Sequence, residues 1–175
     1  MLFHSPIYLI IFLPLVVIFY YKINKFLKID NRIILGFFGL IFYSWWNIYL
    51  APLIVISILF NYYISNLIIN NQDQVKKKRL LLYSIILNVI YLGIFKYTDF
   101  IIQNINLLTG SEIEEFNIPF PLAMSFFTFQ TIAFLVDCYD DEINKNDLKK
   151  YSLFIIFFPQ LVAGPIVKYN DMIPQ

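Results

Sequence analysis

The sequence predicts an all-α polytopic membrane bundle, with about five transmembrane helices and a re-entrant or broken sixth segment. Three observations predict it. Hydrophobic residues make up 59% of the chain and charged residues 14%, against roughly 25% charged in soluble domains. The 175 residues include 19 Phe and 13 Tyr but only 5 Gly, more apolar bulk than a globule of that length encloses. The charges are also gathered into clusters: 1–21, 33–72, 80–95, 116–136 and 151–167 contain no Asp, Glu, Lys or Arg. A spanning helix needs about 20 mostly apolar residues, so each of these gaps is a candidate span.

The first helix is placed near 6–22. It is not a cleavable signal peptide, because Lys22, Lys25 and Lys28 follow the apolar stretch instead of preceding it. The gap 33–72 holds two spans, near 33–49 and 51–70. The break falls at Trp45-Trp46-Asn47 and Ala51-Pro52, since tryptophan suits the headgroup region and proline the first turn of a helix. A fourth span is expected at 80–96. The stretch 98–109, TDFIIQNINLLT, alternates apolar and polar residues and is too short to span. It is expected as a separate interfacial helix on the outer side. A fifth span is placed near 119–138.

Short-loop charge sets orientation. The loop 22–32 holds Lys22, Lys25, Lys28 and Arg32, and 71–79 holds Lys76, Lys77, Lys78 and Arg79. The stretch 97–118 carries Asp99, Glu112, Glu114 and Glu115 and no Lys or Arg. The expected topology has the N-terminus outside, both basic loops and the loop with Lys145, Lys149 and Lys150 inside, and the acidic stretch outside. The run 76–79 is read as a topology determinant.

Several function classes drop out. Thirteen Lys+Arg balance twelve Asp+Glu, so no basic field points to nucleic acid. One cysteine, Cys138, and one histidine, His4, leave no material for a disulfide framework or a histidine-based metal site. No Walker loop, dinucleotide-binding glycine turn, CxxC or HExxH is present. No bound cofactor and no metal are expected.

Two segments carry more information. In PFPLAMSFFTFQTIAFLVDC (119–138), Ser125, Thr128 and Thr131 recur every third residue as a polar stripe. Gln130 and Asp137 are seven residues apart, hence on one helix face about 10 Å apart. A buried amide needs partners, and an intramembrane carboxyl is a default site hypothesis. The hydroxyls also suit helix–helix packing. In YSLFIIFFPQLVAGPIVKY (151–169), Pro159 and Pro165 interrupt the helix and Gly164 precedes the second. The uninterrupted piece 151–158 rises only about 12 Å. Broken backbone at membrane depth is tolerated where protein or a wet cavity surrounds it, so a re-entrant or discontinuous helix is expected. Candidate lining residues of a substrate path are Ser125, Thr128, Gln130, Asp137, Gln160, Gly164 and Pro165.

At these motifs the chain resembles the membrane-bound O-acyltransferase (MBOAT) family, in the bacterial branch of alginate and peptidoglycan O-acetyltransferases. PLAMSFFTFQTIAFLVDCY (121–139) and FFPQLVAGPIVKYNDMIPQ (157–175) are the specific matches. MLFHSPIYLIIFLPLV at the start, FYSWWNIYL (42–50), FNYYIS (60–65) and GIFKYTDF (93–100) support them. The likeness runs the whole length, in order and without apparent gaps. It implies that 1–175 is the N-terminal part of a single MBOAT-type membrane domain. It further implies transfer of an acyl group, acetyl above all, from a cytoplasmic donor such as acetyl-CoA to hydroxyls of an extracytoplasmic polysaccharide. An extracytoplasmic acyl-transfer partner protein, the lipid bilayer of a bacterial inner membrane and the missing C-terminal half are the implied partners. The family's essential histidine lies beyond the GPI motif, so no catalytic residue is carried over, and the chain alone is expected to be inactive. The other classes considered are a transporter or channel subunit and a non-catalytic structural subunit. A transporter should show a second broken segment in a repeat, and none is found.

Overall fold

A computed structural model describes residues 3–23, 30–161, 164 and 167–173. Lys25, Lys28 and Pro165 lie outside the described residues. The described chain is helical, with no strand.

Helix α1 runs Tyr8–Lys22. Its middle, Leu13–Ile18, is α-helical and is flanked by wider π-type turns at Tyr8–Phe12 and Phe19–Ile23. Pro14 has no N–H to donate, and the change of turn sits beside it. Tyr8, Phe12 and Val16 are spaced four apart and buried, whereas Leu9, Ile10 and Val17 face outward. Helix α2 spans Asn31–Ser44, where Asp30 caps the start by accepting from the Arg32 N–H at 3.0 Å. It presents Ile34, Phe38 and Phe42 to α1, and Trp45 and Trp46 beyond its end are exposed.

The second span thus begins two residues before the expected 33–49 and stops five short of it. Asn47 accepts from the Tyr49 N–H at 2.9 Å and starts a new 3₁₀ turn at Ile48–Leu50. That turn leads into α3, Ala51–Ile69, with Pro52 in its first turn as expected.

The largest difference from expectation is α4. It is one helix, Gln74–Thr109, 36 residues long, not a span at 80–96 followed by a separate interfacial helix. Asp73 caps its start and Gly110, at φ 69°, closes its end in the left-handed conformation. Between them, Lys96–Asp99 is polar but contains no proline or glycine, and polarity alone does not end a helix. Thr98 and Asn104 donate to carbonyls of their own preceding turn. Residues 111–117 run back along the helix, with Phe116 N–H donating to Asp99 at 2.9 Å and Ile113 N–H to Asn106 at 3.0 Å.

Helix α5 covers Met124–Tyr139, shorter than the expected 119–138, because Pro119 and Pro121 hold the entry extended and Ala123 turns at φ 55°. Helix α6 is Leu148–Ile156, capped by Asp147. Phe157 is extended, α7 is the single turn Phe158–Leu161, and α8 is Tyr169–Met172. The sixth segment is therefore broken at Phe157, beside Pro159 as expected.

Two apolar clusters organise the bundle. One joins α1, α2 and Phe158, built on edge-to-face aromatic contacts such as Phe12–Phe158 at 5.2 Å. The other joins α3, α4, α5 and α6 around Phe134, which stacks on Tyr151 at 4.4 Å and meets Tyr169 at 5.0 Å. Two helical stretches, Ile48–Ile69 and Gln74–Thr109, are long and apolar enough to cross a membrane. Only 28% and 17% of their most apolar windows are buried, so they differ from the core helices of a soluble protein. Much of their apolar surface is exposed. Helices α1, α2 and α5 are apolar but shorter.

Candidate functional site

The predicted polar stripe lies on α5, and α5 packs against α3, α4 and α6. Its polar side chains are consequently enclosed by protein. Thr128, Gln130 and Thr131 are each 1% exposed and Asp137 8%, whereas Ser125 is half-buried.

Gln130 has a definite job in this arrangement. A continuous helix would drive the ring of Pro159 into the carbonyl of Ile155, and the chain avoids this by extending at Phe157. The break deprives the carbonyls of the last turn of α6 of their helical partners. Gln130 reaches across from α5 and donates through Nε2 to the carbonyl of Phe154 at 3.0 Å. One turn lower, the Tyr151 hydroxyl donates to Thr131 Oγ1 at 3.5 Å. Gln130 Oε1 and Thr128 Oγ1 are buried without a hydrogen-bond partner among the described residues.

The broken end also meets α2. A Cβ at Gly39 would stand 2.1 Å from the carbonyl oxygen of Ile156, so glycine there lets the freed end of α6 seat against α2. Gly164 has a similar constraint. Its N–H donates to the Gln160 carbonyl at 3.0 Å, and a Cβ would come within 2.8 Å of Gln160 Cα. Gln160 is half-buried.

Asp137 sits at the end of α5, where its backbone carbonyl accepts from Glu142 and Ile143 N–H at 3.0 and 3.2 Å. Its carboxyl lies in the field of Lys168, which pairs with Glu142 at 3.4 Å. The structure thus brings Gln130 to the last turn of α6 before the break and Thr131 to Tyr151 nearer its start, and sets Asp137 about two turns further along α5.

Two clefts are lined by other residues. One, of about 220 Å³, lies between α3 and α4 over Ser57, Asn61, Asn88 and Tyr91. The second, of about 430 Å³, lies at the start of α4 against Tyr139.

Two polar features are not anticipated by the sequence reading. Asn61 and Asn88 form a reciprocal amide pair across α3 and α4, at 3.1 and 2.7 Å. Each also donates to the carbonyl four residues back, Ser57 and Ser84. Each asparagine is a lone amide within its apolar helix, and neither by itself points to the other. Lys77, read as one of four equivalent topology charges, is 2% exposed and paired with Asp141 at 2.5 Å, with its ammonium 5.6 Å from the Tyr139 ring.

The described residues hold no group of three or more His, Cys, Asp and Glu that could bind a metal. His4 is exposed near the N-terminus, and Cys138 is buried and free. What this geometry offers is shape and hydrogen bonding around a broken helix.

Over its whole length the chain is 36% identical to a peptidoglycan O-acetyltransferase of Helicobacter pylori, of which it covers 38%. It is 30% identical to a probable alginate O-acetylase AlgI of Azotobacter vinelandii, covering 36% of that protein, and 29% identical to that of Pseudomonas aeruginosa, covering 34%. The chain therefore spans little more than a third of the curated relatives it matches. The Helicobacter alignment extends over 202 residues against the chain's 175, so the likeness contains gaps that the motif reading does not detect. No family model matches the chain. No solved structure matches it either. These relatives are named as an O-acetyltransferase and as alginate O-acetylases. The chain corresponds to an N-terminal portion of an MBOAT-like protein, in the branch of bacterial peptidoglycan and alginate O-acetylases.

Proposed function

We propose that residues 1–175 form the N-terminal scaffold of a multi-pass O-acetyltransferase of a bacterial inner membrane. That enzyme takes an acetyl group from a cytoplasmic donor such as acetyl-CoA and passes it to hydroxyls of an extracytoplasmic polysaccharide, with a partner protein completing delivery. The observation that carries this reading is similarity over the entire chain to enzymes named for acetylating peptidoglycan and alginate. The broken α6, with Gln130 and Gly39 shaping its end, supports a wall of the acyl path. Acyl transfer to a hydroxyl calls for a base poised near neutral pH. His4 is the single histidine and is exposed near the N-terminus, and in this reading the portion supplies no catalysis by itself.

In this reading the N-terminus is outside, and α4 rises about 54 Å from the cytoplasmic basic run to an outer projection that carries Asp99 and the returning acidic stretch. The test joins residues 1–175 to the remaining part of the Helicobacter relative, in cells lacking that enzyme, and measures ester-linked acetate on peptidoglycan. Acetate is expected with the chimera and absent with 1–175 alone. Transfer by 1–175 alone overturns the scaffold role, and a membrane-inserted chimera without transfer overturns the assignment. Orientation is read separately with impermeant maleimide on single-cysteine reporters, since Cys138 is buried. Tyr49→Cys and Ser111→Cys should label from outside, and Asn71→Cys and Lys145→Cys only after permeabilisation.

A further inference from the structure

The four cations at the start of α4 are not equivalent. Lys76 pairs with Asp73 at 3.7 Å, and Lys77 is buried against Asp141. Lys78 and Arg79 have no acidic partner among the described residues, and both are exposed. They stand three and four residues after Val75 and three to four before Leu82, so all four share one helix face. This face, with Gln74 and Tyr139, lines the cleft of about 430 Å³. Val75 and Leu82 are 60% and 55% exposed. The same side continues along α4 as an uncovered apolar strip through Ile86, Val89 and Ile90. A Cβ added at Gly93 would meet nothing within 4 Å. A pair of unneutralised cations, an aromatic wall and an open apolar track running from them along a membrane-length helix match one chemistry: a monoanionic headgroup attached to an acyl chain.

We propose that this cleft is a binding site for an anionic glycerophospholipid, its phosphate held by Lys78 and Arg79 and its acyl chain laid along Leu82, Ile86 and Ile90. The site rests on reading α4 as a membrane span. Lys77 belongs to the fold and not to the site, because its charge is already matched by Asp141. Each cation near an anionic lipid surface contributes about a fivefold preference, so the pair contributes about thirty-fold.

Native mass spectrometry of the detergent-purified chain, titrated with phosphatidylglycerol against phosphatidylcholine, measures that preference. The chain should retain phosphatidylglycerol, and K78Q/R79Q should lose about thirty-fold of the selectivity. K145Q/K149Q, which removes two other exposed cations that do not line the cleft, should change it far less. Equal loss in both variants overturns the site in favour of diffuse charge attraction. Displacement of the lipid by soluble coenzyme A or inorganic phosphate assigns the cations to a soluble phosphate and likewise overturns it. Carbonate extraction of membranes separates the two levels. A chain that stays inserted but shows no selectivity refutes the lipid site alone, and a chain that washes off refutes the span reading and the site with it.

Discussion

Replacing Gln130 with methionine keeps the side-chain volume and removes the donor that serves the Phe154 carbonyl. In a continuous helix the Phe158 N–H would serve that carbonyl, but the chain is extended at Phe157 and Gln130 Nε2 donates to it at 3.0 Å instead. A neutral hydrogen bond contributes about 0.5–1.5 kcal/mol net, and stranding a buried acceptor costs about 1–3 kcal/mol. Two effects pull the figure down. Gln130 Oε1 is itself buried without a partner, so methionine relieves that cost, and side-chain hydrogen bonds in membrane helices average about 0.6 kcal/mol with a maximum near 1.7. The expected loss for Q130M is about 1 kcal/mol. Pro159→Ala supplies the control, since it removes the ring that forces the break and lets the Phe158 N–H return to Phe154. In that background Q130M should cost close to nothing, a coupling of about 1 kcal/mol between residues on different helices. Unfolding in mixed SDS micelles, followed by helicity, measures all four variants, and amide exchange at Phe158–Leu161 locates the change. If Q130M costs the same with and without Pro159, or costs nothing, Gln130 does not cap the broken helix.

Gly39→Ala should destabilise by about 1–3 kcal/mol or more, because its Cβ would overlap the Ile156 carbonyl. Gly36→Ala, whose nearest neighbour would be 3.9 Å away, should be neutral or stabilising by up to about 1 kcal/mol in the same unfolding assay. Asn61→Leu or Asn88→Leu alone should each cost about 1–2 kcal/mol by leaving the other amide unmatched. The double variant should cost less than the sum, and full additivity would show that the pair is not coupled. Asp141→Asn should cost more than Lys77→Met, because it strands a buried ammonium whereas the other variant removes it. With Asp141 61% exposed, the difference is about 1–2 kcal/mol, read from paired melting curves. The Asp73 carboxyl is held below its ordinary pKa by the Lys76 and Val75 backbone N–H groups. Its folded pKa is lowered, so its contribution is present above the ordinary value of 3.8 and is lost as pH falls through the lowered one. Amide exchange at Val75 and Lys76 should rise in that acidic window in the native chain and stay flat in Asp73→Asn.

The parts of the fold legible in the sequence are those set by one residue's own chemistry. Pro52 opens α3, the paired tryptophans end up exposed beyond α2, and Pro159 breaks the sixth segment. Boundaries that depend on cooperation between residues are not legible in this way. The polar run Lys96–Asp99 resembles an end of span, yet α4 continues because Thr98 and Asn104 turn their polarity back on their own helix and residues 111–117 cover it. The candidate site shows the same division. The burial of Gln130 and Thr131 is readable from polar groups in an apolar helix, but their partners, Phe154 and Tyr151, are 24 and 20 residues away in sequence. Asn61 and Asn88, 27 residues apart, carry no signal individually and become a pair only when α3 lies on α4.

The two motifs that carry the sequence resemblance gain a physical meaning from the α6 break. Phe158, just past the break, leaves the α3–α6 core and inserts between Tyr8, Phe12 and Phe42 of the other cluster. Its predecessors Phe154, Ile155 and Ile156 remain in the first. A continuous helix could not serve both clusters, because residues 154 and 158 would fall on the same face one turn apart. The break therefore joins the two halves of the bundle, and it is stable because each exposed end is answered: Phe154 by Gln130, Ile156 by the vacant Cβ position of Gly39. Gln130 and Pro159 lie in the two motifs most specific to the resemblance, while Gly39 lies in neither. Gln130 and Gly39 thus act on the two sides of one joint, Gln130 through a hydrogen bond and Gly39 by leaving room for the Ile156 carbonyl. A side chain at Gly39 should therefore loosen the joint by pushing back the Ile156 carbonyl while leaving the Gln130–Phe154 hydrogen bond its donor and acceptor.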